Sequence, residues 1–144
     1  MNAKFFLAED VRAEPGGKLT VVGMYPDDSI LFQGPLPGVM FTPDASPGMP
    51  KLCIVCVLIG LGPGTYSLVG TLSDPVGTAL VDHASLGTVV VPSEGSHAHT
   101  TVVQIAPFVA KELGDYTFVL SSNGINVSYV FSVRRDSTAE ALPA

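Results

Sequence analysis

Two of the three histidines in the chain lie two residues apart, in "SEGSHAHTTVVQIAPF" (93–108). On a strand, residues two apart share a face, so His97 and His99 can both reach one ion. Continuing that face gives Thr101, Val103 and Ile105, a core-directed series. Catalytic zinc needs three protein ligands. No histidine follows His99, so a third ligand would have to come from His83 or Glu94. His97 and His99 are therefore metal-ligand candidates that read more simply as polar residues where a strand begins. No metal and no other cofactor is expected.

Cys53 and Cys56 form the other pair with metal or redox spacing, in "KLCIVCVLIG". Residues three apart on a strand point to opposite faces, which keeps the sulfurs from sharing an ion or bonding each other. No second Cys-x-x-Cys exists to complete a four-thiolate site. Two buried, reduced cysteines are expected. Glu9, Asp10, Arg12 and Glu14 cluster near the end of the first apolar run. They read as a solvated strand end in which Asp10 meets Arg12 or Lys18. There is no Gly-x-Ser-x-Gly nucleophile elbow. "GLGPG" (60–64) lacks the Lys of a phosphate loop. No enzyme signature is present.

The elements that must position these residues are strands. Twelve Pro and 15 Gly punctuate 144 residues at short intervals, and between them lie runs rich in Val, Ile, Thr, Phe and Tyr. Strands are predicted near 4–12, 18–25, 50–60, 65–73, 78–82, 86–91, 98–106, 115–121 and 125–134. One helical turn is predicted over "PFVAKELG" (107–114). Asn123-Gly124 is the strongest hairpin signal in the chain. From Tyr116 to Val133, apolar residues largely alternate with polar ones, which specifies one buried face. The fold class is all-β, an antiparallel β-sandwich of immunoglobulin-like or jelly-roll connectivity. One domain is expected over 1–135, with 136–144 a flexible C-terminal tail. The Pro- and Gly-rich segment 33–50 is expected to be an ordered loop packing Leu36, Val39, Met40 and Phe41 on the sheet.

Composition excludes some partners. Net charge is −6 with only seven Lys and Arg, so no nucleic acid is expected. Charged residues make up 14% against 47% apolar, and mean hydropathy is +0.42. The longest apolar run, "LCIVCVLIGLG", is too short for a membrane span. The opening Phe5-Phe6-Leu7-Ala8 is cut short by Glu9 and Asp10, so no export signal is expected and the location is cytoplasmic. The apolar excess must then be buried within the domain or against another chain. The run from Leu52 to Ile59 is apolar on both faces, whereas an antiparallel sandwich strand wets one. Self-association, first as a twofold dimer, is expected through Ile54, Val55, Val57 and Leu58.

Three resemblances add to this. "LGDYTF" (113–118) resembles the tyrosine corner of immunoglobulin-like sandwiches, which gives Tyr116, like Asn123 and Gly124, a structural role. Asp10, Arg12, Gly17, Lys18, Gly23 and Tyr25, within "FFLAEDVRAEPGGKLTVVGMY", resemble a family of short bacterial proteins. That resemblance implies no activity, because the family has none assigned. His97-x-His99 also resembles the first cupin motif, but Gln104 stands where that motif has a carboxylate. The function expected is a non-catalytic binding or assembly module. The alternative is a cupin-like metal-dependent enzyme using His97 and His99. A carbohydrate-binding sandwich is a third reading, weakened because the chain has no Trp to form a stacking platform.

Overall fold

The computed structural model describes residues 2–33, 40–41, 47–93 and 97–136. Its strands are β1 (Asn2–Ala13), β2 (Leu19–Tyr25), β3 (Ser29–Gln33), β4 (Met40–Phe41), β5 (Pro47–Met49) and β6 (Leu52–Leu61). They continue with β7 (Gly64–Ser73), β8 (Ala79–Val91), β9 (His97–Ile105), β10 (Phe108–Val109), β11 (Gly114–Ser122) and β12 (Ile125–Asp136). One sheet has the order β2-β1-β6-β9 and the other β3-β12-β11-β7-β8; a small third sheet joins β10, β5 and β4. The two large sheets form an all-β sandwich.

The order β12-β11-β7-β8 is that of strands G-F-C-C′ in an immunoglobulin-type domain, and β1-β6-β9 is that of A-B-E. Among the described residues no strand follows β9 in its sheet, so β9 is an edge. The tyrosine-corner geometry is present as well. Tyr116 lies near the start of β11, and its hydroxyl donates to the Glu112 carbonyl at 2.7 Å. The β11–β12 hairpin closes through Asn123 (φ 51) and Gly124 (φ 80) between the paired Ser122 and Ile125. Two successive positive φ values define the turn whose twist matches the flanking strands. The Asn123 side-chain amide also donates to the Thr65 carbonyl at 3.0 Å, tying the hairpin to β7.

Alternation puts one face of each sheet into a shared core. Leu7, Ile54, Cys56 and Leu58 from the first sheet meet Leu68, Leu72, Phe118, Leu120, Phe131 and Val133 from the second. Phe5 spans the layers, stacked on Tyr129 at 5.1 Å and edge-on to Phe118 at 6.2 Å. Gly70 belongs to this packing. A Cβ built on it would lie 2.9 Å from the Phe118 ring and 3.0 Å from Leu86 Cδ1. Gly70→Ala is therefore expected to destabilise by about 1–3 kcal/mol, since the ring has no room to withdraw. A shift of the urea midpoint at constant slope reads it; an unchanged midpoint would show that Phe118 moves freely.

Several sequence expectations need correction. β3 lies in a segment the pattern left without a strand, and it pairs with β12 in parallel, so the sandwich is not wholly antiparallel. Ile30 and Phe32 are the reason, being buried at 1% and 3% exposure. The predicted strands 78–82 and 86–91 form one strand, β8, with register shifts against β7 and positive φ at His83 and Gly87. No helical turn forms over 107–114. Phe108 pairs with Met49 as part of β10, and its ring packs edge-on against Tyr116 at 5.6 Å. Asp136 ends β12 rather than starting a tail, and 137–144 lie outside the described residues. Within 33–50, Leu36 and Val39 also lie outside them, while Pro47–Met49 pairs with both β4 and β10. Among the described residues, no helix is long and apolar enough to cross a membrane.

Candidate self-association surface

Among the described residues the chemistry-bearing side chains do not converge, and Glu94 lies outside them. Register opposite Leu58 places His99 on the core side of β9, half-buried at the rim. His97 is the first residue of β9, opposite Leu61. His83 sits on β8, in the other sheet, beside Asp82. Among the described residues, no three His, Cys, Asp or Glu side chains are grouped to hold a metal ion. Cys53 and Cys56 are both buried and form no disulfide. Register puts Cys56 with Phe5 and Thr101, and Cys53 with Ala8 and Gln104, so the sulfurs lie on opposite faces of β6. Burial pushes the Cys56 thiol up to about 12 and raises Cys53 as well. Neither is a nucleophile at neutral pH.

Asp10 has an ion partner that the sequence did not reveal. Lys51 Nζ lies 2.7 Å from Asp10 Oδ1, against 3.4 Å for Arg12 Nε to Oδ2. The Lys51 hydrogen bond is the main cause holding the Asp10 carboxyl below its usual value, and it raises Lys51 in return. Lys51 was invisible as a partner because it is 41 residues away and enters only through the β1–β6 pairing.

The outer face of the first sheet carries apolar rows. Its cross-strand neighbours are Met24–Ala8–Cys53–Gln104 and Phe6–Val55–Val102, with Lys4–Val57–Thr100 following. Phe6 and Ile59 are each 38% exposed and Met24 59%. Asp10, Arg12 and Lys51 rim one end of these rows and Lys4 the other. A contiguous apolar patch with a polar rim is how a protein–protein interface is built. Of the residues expected to line an interface, Ile54 and Leu58 are consumed by the core at 0% exposure and leave nothing for a second chain. Val57 is half-buried on the outer face, and Val55, between Phe6 and Val102, is only 3% exposed. The residues that offer area are Met24, Phe6 and Ile59, of which Phe6 shares β1 with the charged Lys4, Asp10 and Arg12.

Among the described residues, β1 has no ladder partner on its β6 side beyond Ala8, yet it stays paired with β2 through Ala13 and Leu19. The pair forms a two-stranded arm that leaves Leu19, Val21 and Val22 at 39%, 42% and 37% exposure. Two strands alone are marginal in water. A separate cleft of about 360 Å3 lies beside the β7–β8 turn, lined by Leu80, Ile105, Pro107, Phe108 and Tyr116 among others. Two of its polar groups are already committed. The Tyr116 hydroxyl serves Glu112, and Asp74 Oδ1 accepts from the Val76 and Thr78 amides within the turn. The chain matches no protein-family model and no curated protein.

Proposed function

We propose that this protein is a non-catalytic β-sandwich module whose work is assembly, beginning with a second copy of itself, through the outer face of the first sheet and its β1–β2 arm. The observation that carries this is the concentration of exposed Leu19, Val21, Val22, Met24 and Phe6 on two adjacent strands of one sheet.

The test is mass by light scattering across micromolar concentrations, on wild type and Met24→Glu. Met24 is 59% exposed, so the variant keeps its β circular dichroism. Wild type is expected as a dimer and Met24→Glu as a monomer, because a carboxylate would be left desolvated in the interface. A one-chain mass for wild type throughout would overturn the reading.

A further inference from the structure

Resting on that assembly reading, we infer that the dimer forms by antiparallel pairing of β2 with β2 of a second copy, about a twofold axis at Val22. An edge strand exposes unpaired backbone N–H and C=O groups, and what fits them is another strand. The other edge of the second sheet, β8, is blunted by Asp82, by positive φ at His83 and Gly87, and by its register shifts. Within Leu19–Tyr25, by contrast, there is no charge and no Pro.

Only one register pairs the whole of β2 with itself. Val22 meets Val22, Thr20 meets Met24, Val21 meets Gly23 and Leu19 meets Tyr25. No like charges face each other in this arrangement. At its ends, Lys18 of each copy arrives beside Pro26 of the other, next to Asp27 and Asp28. All three charged residues are exposed in the single chain. Asp27 and Asp28 are fixed there in a turn, with φ of 56 and 50. The pairing therefore matches one cation with an acidic pair twice over, which is the complementarity an isologous interface requires. Gly23, at φ 65, makes the ladder locally irregular, so side-chain rows and charged ends carry part of the pairing. The result is a continuous eight-stranded sheet in which each marginal arm supports the other.

The experiment uses the full chain with single cysteines introduced at the edge, Val22→Cys and Thr20→Cys. Paired Cα atoms across an antiparallel ladder lie about 4.5–5.5 Å apart, within disulfide range. Val22→Cys is expected to crosslink to itself on mild oxidation. Thr20→Cys, four residues out of register with its own copy, is not. Lys18→Glu should weaken dimerisation at least about tenfold by placing like charges together. Adding Asp27→Lys should restore it, whereas Asp28 stays in place because it accepts the Tyr129 hydroxyl. Val90→Glu, exposed on β8 of the second sheet, should leave the dimer intact. Two results separate the failures. If wild type is a dimer that Phe6→Glu dissociates, while Val22→Cys does not crosslink, the β2 pairing is wrong and assembly through the face stands. If wild type is a monomer, both fall.

Discussion

Ile54→Glu is expected not to fold, while Val55→Glu, one residue away, is expected to fold with a loss of about 1–3 kcal/mol. The contrast comes from what lies behind each side chain. Ile54 points between the sheets at 0% exposure, in the cluster with Leu7, Leu72 and Phe118. A carboxylate there has no partner and no route to water. An uncompensated buried charge costs several kcal/mol, a large share of the 5–15 kcal/mol typical of a whole domain. Val55 is nearly as inaccessible, at 3%, but it stands on the outer face between Phe6 and Val102. Phe6 itself is 38% exposed, so solvent is one side chain away and a Glu can bend toward it. Circular dichroism and urea titration of both variants check this. Equal loss of structure in both would mean that the outer face is as closed as the inner one.

Raising the pH from 9 to 12 is expected to unfold the protein, and Tyr116→Phe and Cys56→Ala should each flatten that loss. Burial pushes the Cys56 thiol up from 9.0 to about 12, and the Tyr116 phenol up from 10.0 to about 12, the latter with added repulsion from Asp74. Tyr129 is raised further by burial and by its hydrogen bond to Asp28, which disfavours a second negative charge. The sign follows from where protons sit. Below pH 9 these groups are protonated in both states, and they contribute no pH dependence. Above 9 for the thiol and 10 for the phenols, the unfolded chain releases protons that the folded chain keeps. Stability therefore falls with pH, by about 1.4 kcal/mol per unit for each such group, until the folded group titrates. At neutral pH, Tyr116→Phe should cost about 1 kcal/mol, the value of the hydrogen bond to Glu112. Near-ultraviolet tyrosinate absorbance should rise together with unfolding. If Tyr116 and Tyr129 instead titrate as free phenols while the β spectrum persists, the buried placement of both hydroxyls is refuted.

Much of this molecule was legible in local pattern. Strand positions followed from β-branched and aromatic runs between Gly and Pro, because those residues act through their own backbone and nearest neighbours. Asn123-Gly124 specified a two-residue turn on its own, and alternation through Tyr116–Val133 specified which face is buried. The opposite placement of Cys53 and Cys56 followed from the two-residue period of a strand. Tertiary structure decided what depends on residues far apart in the chain. Ser29–Gln33 is too short to declare itself, and becomes a strand because β12, about a hundred residues later, offers it a ladder. The segment 107–114 carries a weak helical signal, but Phe108 gains more by entering the core against Tyr116 and Phe131. Lys51 reaches Asp10 only through the pairing of β1 with β6. Most consequential is the doubly apolar β6. The sequence showed that its second face needs cover. Only the assembled sheet showed that Val55 is already shielded within the chain, and that β1 and β2 of the same sheet leave Phe6, Leu19, Val21, Val22 and Met24 exposed, because which neighbour screens a side chain is a property of strand order, not of the strand.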